Sequence, residues 1–370
     1  MRKSYYMTMA VAVAMCLTSC SDDEPNNNGT DPKAPSQGLY ILCEGNMGSN
    51  SATLDYVDFL TSNTITTGIY NAVNGASLGD TGSDLAYSDG YLYAVVNGSN
   101  KVEKIDAETV KSTASVSITS PRQICINGNY AYVTSYSDGE EGRGSVKEIS
   151  LANFSVTRSL PVSYEPEGMA VVDGKLYVAN SCGLHLASTD DSYVSVIDLG
   201  TFKEVSRLKV GTNTEYVKAD SKNRLWVTSR GNYADIPSRL YMLERDSKGE
   251  MAIAKTFNFA CSNLAIGNEK LYYYASEWSN VTFSMTITFG TIDLNTLERG
   301  DSFIADKTLA ESLYAPYSIL VNRNNNEIYL TDAGDYVSSG QVFCFDKEGK
   351  ELWRRSTGAI PGHLVLIPKK

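Results

Sequence analysis

The sequence predicts an all-β fold, a seven-bladed β-propeller with four-stranded blades. Three observations lead to this prediction. A short apolar strand with an aromatic residue at its centre recurs seven times along the chain. Most copies follow a second apolar strand that ends in a tight turn, and precede a third strand that ends in an acidic or polar residue. One further apolar segment, 362–368, remains at the C-terminus. Four-stranded units repeated at roughly 40–50 residues are typical of propellers.

Residues 1–19 are predicted to be a secretory signal. Arg2 and Lys3 precede an apolar run, 9–17, which is too short to span a bilayer. The segment LTSC that ends at Cys20 resembles the lipobox of bacterial lipoproteins, in which the cysteine is lipidated and becomes the first residue of the mature chain. The alternative is an ordinary secretory signal with a chance cysteine.

Residues 20–37 are predicted to be the lipidated Cys20 and a disordered tether, because they are polar and lack aromatic residues. The acidic sequence SDDE at 21–24 resembles the surface-export signal of Bacteroides-group lipoproteins. That resemblance implies a lipid-anchored protein on the outer membrane, facing outward. Alternatively, these acids only solvate a linker. No later segment has 18 consecutive apolar residues, so the lipid would be the only membrane attachment.

The propeller is predicted to occupy 38–370. Asp-Gly and Asn-Gly pairs, as at 89–90 and 127–128, are the two-residue turns expected between antiparallel strands. Isolated blades would expose both faces, whereas a ring buries them against neighbouring blades. The repeat aromatic residues, spaced 39 to 57 residues apart, are Tyr40, Tyr93, Tyr132, Tyr177, Trp226, Tyr272 and Tyr329.

Ring closure is predicted from the two ends of the repeat. The first unit lacks an innermost strand, because its strand 38–43 follows the tether directly. We therefore expect the C-terminal segment 362–368 to pair beside 38–43. Two packed β-sandwiches are the alternative architecture, although the repeat crosses mid-chain without a divide.

Composition excludes one class of partner. The formal net charge is −11, and residues 1–19 carry two bases and no acids, so the mature chain is still more acidic. Such a chain is not expected to bind nucleic acid by neutralising phosphates.

The cysteines beyond the leader are predicted to be reduced and buried. They are odd in number, widely spaced and without CxxC spacing, which argues against a disulfide framework or a zinc site. These residues are Cys43, Cys125, Cys182, Cys261 and Cys344.

Candidate ligand-binding residues follow from the strand directions. With strands labelled A to D from the axis outward, the D–A and B–C loops share one face, called here the loop face. The A–B and C–D turns share the opposite face, called here the turn face. It is expected to offer few contacts to a ligand. Irregular loops on a repetitive scaffold usually carry recognition. The candidates on the loop face are Arg122, Tyr136, Glu167, Asn180, Tyr216, Arg230, Tyr233, Trp278, Tyr317, Tyr336 and His363.

Each candidate also has a structural interpretation. Aromatic and arginine side chains are frequent binding anchors, but some of these rings could instead cap the blade core. Arg122 and Arg230 could hold a phosphate or a carboxylate. The alternative is that they form salt bridges with Glu165, Glu167 or Glu215.

An enzymatic function is not favoured. The chain has two histidines, His185 and His363, which fall in different blades, and no Gly-x-Ser-x-Gly elbow between a strand and a helix. Carboxylates are plentiful on the loop face, but nothing selects an acid–base pair. We predict a binding protein without cofactor or metal, and a propeller lyase or glycosidase is the alternative.

The repeat resembles the propellers known as YncE-like or surface-layer-like proteins, whose recurrent pieces are P-x-G-x-A, G-x-L-Y-V-x-N and V-S-V-I-D. The best match is EPEGMA at 165–170, GKLYVAN at 174–180 and VSVID at 194–198. Other blades match more loosely. These motifs are specific to the fold more than to a function.

In leader, size and blade pattern the chain is similar to the BtuG family of Bacteroides cobalamin-binding lipoproteins, which work with a TonB-dependent outer-membrane transporter. The resemblance implies a corrin ring over the channel mouth. Its amide arms would meet Asn, Tyr and backbone groups, and an Arg would meet the phosphate of the nucleotide loop. A glycan-binding or protein-interaction surface propeller is the alternative.

Overall fold

Seven four-stranded antiparallel sheets form a closed ring in the computed structural model, which describes residues 36–185, 192–279 and 283–368. The innermost strands of successive blades pack side by side around the axis. The predicted propeller is therefore confirmed, and the alternative of two β-sandwiches is excluded.

The blades are numbered 1 to 7 from the N-terminus, and their strands keep the letters A to D. Blade 1 comprises Pro361–Pro368, Ser36–Cys43, Thr53–Asp58 and Thr64–Thr66. Blade 2 comprises Gly82–Ser88, Tyr91–Val96, Lys101–Asp106 and Ser112–Ser117. Blade 3 comprises Pro121–Asn127, Tyr130–Ser135, Ser145–Ser150 and Ser155–Pro161. Blade 4 comprises Pro166–Val172, Lys175–Asn180, Tyr193–Asp198 and Lys203–Leu208.

The last three blades follow the same order. Blade 5 comprises Thr214–Ala219, Leu225–Ser229, Arg239–Arg245 and Met251–Phe257. Blade 6 comprises Asn263–Ile266, Lys270–Ser279, Ser284–Asp293 and Arg299–Gly300. Blade 7 comprises Pro316–Asn322, Glu327–Asp332, Ser339–Phe345 and Glu351–Ala359. The short helices are Ile69–Asn74, Lys307–Ser312 and the 3-10 turn Glu140–Gly142. No helix of the described residues is long and apolar enough to cross a membrane.

The two chain ends close blade 1, as predicted. Strand Pro361–Pro368 pairs antiparallel with Ser36–Cys43, with Leu39 opposite Leu366. The first strand begins two residues before the predicted boundary, because the ladder continues to Ser36 opposite Pro368. The predicted signal 1–19, Cys20 and most of the tether lie outside the described residues.

The repeat aromatic residues are core residues. All seven stand in strand B and are at most 7% exposed. Several stack on aromatic residues that follow in the same blade or the next, such as Trp226 on Phe257 and Tyr132 on Phe202. The Tyr40 hydroxyl also donates to the Ala107 carbonyl of blade 2 at 2.7 Å. This motif therefore builds the blades rather than a ligand site. The five predicted core cysteines are buried, and none forms a disulfide within the described structure.

Blade 6 departs from the predicted pattern. Trp278 was selected as a loop-face residue, but the two central strands of this blade continue past it and pair as far as Ser279 opposite Ser284. Its outermost strand has only two residues, because the chain turns away towards the helix Lys307–Ser312. The Asp306 carboxylate caps that helix by accepting from the Thr308 amide at 2.9 Å. This insertion accounts for the longest repeat spacing, from Tyr272 to Tyr329.

Candidate functional site

A β-bulge recurs at the loop-face end of strand A. In blade 3, Pro121 pairs with Ser135 and Ile124 with Val133, so two residues of strand A oppose one of strand B. Blades 4, 5 and 7 have the same shift. A bulge redirects side chains at the end of a strand. The first bulge residues of these four blades are Arg122, Glu167, Glu215 and Tyr317, which sequence analysis had selected or named as partners of the arginines.

Hydroxyls of strand B hold the second bulge residues in place. The amides of Gln123, Tyr216 and Ser318 donate to threonine hydroxyls at 2.9–3.0 Å. The acceptors are Thr134, Thr228 and Thr331. Side-chain acceptors thus replace the ladder bonds that the bulge interrupts, which lets the chain retain this irregular backbone.

Arg122, Glu167 and Tyr136 form one cluster between blades 3 and 4. Arg122 Nε lies 3.5 Å from Glu167 Oε2, and its guanidinium lies 4.7 Å from the centre of the Tyr136 ring. The Tyr136 hydroxyl donates to Glu167 Oε1. Within the described ranges, neither Arg122 Nε nor Glu167 Oε2 has a hydrogen-bond partner, although both atoms are buried. The Glu167 charge raises the pKa of Arg122, so the cluster keeps a cation with unused hydrogen-bonding capacity.

Arg230 forms a bidentate ion pair with Glu215 in blade 5. Nε donates to Oε2 at 2.6 Å, and Nη2 donates to Oε1. Glu215 is buried, whereas the Arg230 side chain is 48% exposed. Both arginines therefore make the salt bridges that sequence analysis offered as the alternative. Arg230 nevertheless presents guanidinium surface to solvent.

His363 completes the charged groups around the axis. Its Nδ1 lies 3.2 Å from Asp84 Oδ1, and its Nε2 lies 3.7 Å from Glu44 Oε1. Burial opposes the imidazolium charge, but Asp84 and Glu44 outweigh burial and raise the pKa of His363 to about 9. His363 is therefore a cation at neutral pH. The other histidine, His185, lies away from it in blade 4 and meets Glu165 at 2.7 Å.

Tyrosines of blades 5 to 7 also lie around the axis at the loop face. The Tyr274 hydroxyl donates to the Tyr317 carbonyl at 2.6 Å. The rings of Tyr317 and Tyr336 meet edge to face with centroids 5.9 Å apart. Burial, reinforced by the Glu44 carboxylate, raises the pKa of Tyr317. We call the whole set the mouth cluster: Glu44, Asp84, Arg122, Tyr136, Glu167, Glu215, Tyr216, Arg230, Tyr274, Tyr317, Tyr336 and His363.

Three candidates are not counted in the mouth cluster, although Tyr233 is near enough to Arg230 to help raise the pKa of that residue. Asn180 is fully buried, and its amide donates to the Tyr193 carbonyl at 3.0 Å and to Ser195 Oγ at 2.9 Å. Asn180 is the last residue of strand B in blade 4, and its hydrogen bonds stabilise that blade. Because it is fully buried, it has no exposed atom for a ligand to contact. Tyr233 and Trp278 are 66% and 57% exposed, on a blade 5 loop and on the extended blade 6 hairpin.

Directly below the bulges, the ring axis holds a cavity of about 40 Å³. Its polar lining comes from the inner strands of blades 1, 2, 3, 5, 6 and 7: His363, Asp84, Gln123, Tyr216, Lys218, Asn263 and Ser318. This volume holds a few waters or a small ion. A larger ligand would have to lie on the loop face.

A larger groove lies on the turn face, which was expected to offer few contacts to a ligand. Whether this face binds a ligand stays a prediction. The groove has a volume of about 770 Å³ between blades 6 and 7, and its lining includes Lys270, Tyr272, Asp301 and Lys347. It forms beside the two-residue outer strand of blade 6. The long spacing before Tyr329 was the sequence signal for this irregularity.

No protein-family model matches the chain, and no curated protein matches it. Several solved structures do resemble the chain. A quinonprotein alcohol dehydrogenase-like protein from Bacteroides thetaiotaomicron is 15% identical, with a TM-score of 0.63, over 90% of this chain and 78% of that one. A hypothetical selenium-binding protein from Sulfolobus tokodaii is 12% identical, with a TM-score of 0.64, over 90% and 94%. Hydrazine synthase from Kuenenia stuttgartiensis is 14% identical, with a TM-score of 0.60, over 77% and 89%.

These likenesses define the chain as a seven-bladed β-propeller and go no further. The functions named for the three structures differ, and at such low identity a shared fold carries no shared activity. The fold is compatible with a binding or protein-interaction role. Any finer function rests on the chain's own residues.

Proposed function

We propose that the protein is a binding protein that holds a small ligand on the loop face, over the mouth cluster. The observation that carries this proposal is the Arg122–Glu167 pair, whose facing atoms Nε and Oε2 are buried and have no hydrogen-bond partner among the described residues. Buried polar groups are normally satisfied, so such atoms are expected where a bound group or an ordered water completes the set. The exposed Arg230 guanidinium and Tyr336 ring lie on the same face.

The best candidate for the ligand is a cobalamin-type corrinoid. The axial cavity of about 40 Å³ is far too small for a macrocycle, so a corrin would lie flat across the mouth. The tyrosines and cations around the mouth suit a ligand that combines an apolar plane with amide arms and a phosphate. This assignment draws on the resemblance of the leader and repeats to the corrinoid-binding lipoproteins.

In this proposal the protein is a lipoprotein of the outer membrane, anchored through Cys20, that passes its ligand to a TonB-dependent transporter. The course of the chain suits this arrangement. Strand B of blade 1 begins at Ser36 beside Pro368, on the turn face. A tether from Cys20 would therefore enter the ring on the face opposite the mouth cluster, leaving the mouth open to ligand.

Calorimetric titration of the purified protein with cyanocobalamin tests the proposal. Saturable one-to-one binding at micromolar protein is expected. A protein that gives no heat at this concentration would overturn the corrinoid assignment. The transporter step is tested separately, by co-purification of the tagged full-length protein from its native membrane and identification of the proteins retained.

Glycan binding is the second candidate, and the exposed Trp278 on the blade 6 hairpin favours it. Aromatic platforms of this kind stack on sugar rings. A glycan panel titrated in the same calorimeter separates the two ligands. Trp278→Ala should abolish glycan binding and leave corrinoid binding intact. Appearance of cleaved glycan would support a lyase or glycosidase instead, although Glu167 and Glu215 are each engaged by an arginine.

A further inference from the structure

We propose that the axial cavity binds a small monovalent anion of halide size, held by Lys218 beneath the mouth cluster. The cavity shares Asp84, Tyr216 and His363 with the mouth cluster, but it lies on the axis below the ligand surface proposed above. Its volume of about 40 Å³ exceeds the roughly 10–15 Å³ that one water requires and excludes polyatomic organic ligands.

The charge of the lining favours an anion over water alone. Asp84 is already engaged: it accepts the amides of Leu85 and Ile124 at 2.8 Å each and contacts His363 at 3.2 Å. Glu44 also faces His363. In contrast, Lys218 has no ion pair or hydrogen bond within residues 36–185, 192–279 and 283–368, and its ammonium lies 6.0 Å from the Tyr216 ring. The Lys218 ammonium therefore has no counter-charge among the described residues, whereas charges removed from water are normally paired.

Neutral donors converge on the same space. Gln123, Tyr216 and Ser318 also line the cavity, and their side-chain amide and hydroxyl groups make no hydrogen bond to another side chain or carbonyl in the described part of the chain. Together with Lys218 they form a set of N–H and O–H donors from blades 3, 5 and 7. Such a set suits a spherical anion, which accepts from every direction.

An anion in this position would stabilise the ring. Six of the seven inner strands contribute to the cavity. An anion bound there would tie these strands together and would stabilise the ring by mass action, because it binds only the folded chain.

Crystals grown in sodium bromide test the site directly. We expect one anomalous bromide peak on the axis, in contact with Lys218. Thermal unfolding supplies a measurement in solution. Replacing sodium gluconate by sodium chloride at constant ionic strength should raise the melting temperature by about 2–4 °C.

The Lys218→Met variant should lose both the bromide peak and the chloride response. Lys203→Met, on an exposed outer strand, should keep both. Density for water only in wild-type bromide crystals would overturn the proposal, whether or not the Lys218 variant folds. An equal chloride response in wild type and Lys218→Met would also overturn it.

Discussion

Arg122 Nε lies 3.5 Å from Glu167 Oε2, and this pair joins the inner strands of blades 3 and 4 at the loop face. Both residues occupy the same bulge position in successive blades. One repeated irregularity of the backbone therefore places complementary charges beside each other at the axis.

Glu167→Gln should destabilise the fold by about 1–2 kcal/mol. The substitution keeps the shape but removes the charge that faces Arg122, and the Arg122 side chain, 30% exposed, recovers part of the loss from solvent. Urea unfolding gives the free energy difference. Glu351→Gln breaks the more exposed pair with Arg354 and should cost less than about 0.5 kcal/mol. Equal costs for the two variants would contradict this interpretation.

Arg230→Met should weaken binding of the loop-face ligand about tenfold or more. Its exposed guanidinium is the cation that a phosphate or carboxylate can reach without rearrangement. Calorimetry with cyanocobalamin measures the change. Lys270→Met, in the turn-face groove, is the matched control and should bind as wild type does. A loss of affinity confined to the Lys270 variant would move the ligand to the turn face.

Stability should fall as the pH rises from about 6.5 to about 9. The folded pKa of His363, about 9, lies above the ordinary value of 6.5. Its contribution is therefore complete below pH 6.5 and lost as the pH passes through 9. Asp84 and Glu44 face the ring, and the Arg122 charge is near Glu44.

Urea unfolding at a series of pH values measures this dependence. The loss should be on the order of 3 kcal/mol and should disappear in His363→Gln. The same decline in both proteins would show that another group is responsible.

Deleting 362–370 should lower the melting temperature sharply or prevent folding. The deletion removes all but the first residue of the strand that closes blade 1 and exposes the core strand Ser36–Cys43 on one edge. Leu366→Ala is the milder test and should cost about 2–5 kcal/mol, because Leu366 is 6% exposed. Leu352→Ala, at a half-exposed site on the outermost strand of blade 7, should cost less than about 0.5 kcal/mol. Unchanged stability after deletion would show that the ring closes in another way.

The five core cysteines should not react with a thiol reagent in the native protein. All five are buried, and burial raises the pKa of the Cys125 and Cys261 thiols, so little thiolate forms. Labelling followed by mass spectrometry identifies modified positions. Unfolding in urea should make all five reactive. Labelling of any of them before unfolding would show local opening of its blade.

Much of the site could be predicted because the repeat restricts where loops emerge. Once the strand directions are known, residues after each D–A loop must lie near the axis on one face. Arg122, Glu167, Tyr216, Tyr317 and His363 were selected on this basis, and the structure brings them together. The match depends on periodicity, which is a local property of the chain.

Asn180 and blade 6 show where the pattern is insufficient. Asn180 is the last residue of the apolar strand KLYVAN and looks like the first loop residue, but the hydrogen bonds from its amide to strand C keep it in the sheet. The blade 6 hairpin continues because its strands find cross-strand partners up to Ser279 opposite Ser284. Both outcomes depend on long-range pairing, which strand propensity does not specify.

The sequence by itself determined the number of blades, the closure by both chain ends and the face that carries the bulged residues, because each follows from a repeated alternation of apolar strands and turns. Only the tertiary structure decided which charges pair across blades, that Lys218 is left without a partner among the described residues, and that a groove opens beside blade 6. These features depend on distances between segments far apart in the chain. Packing seven blades around one axis sets those distances, and no local pattern encodes them.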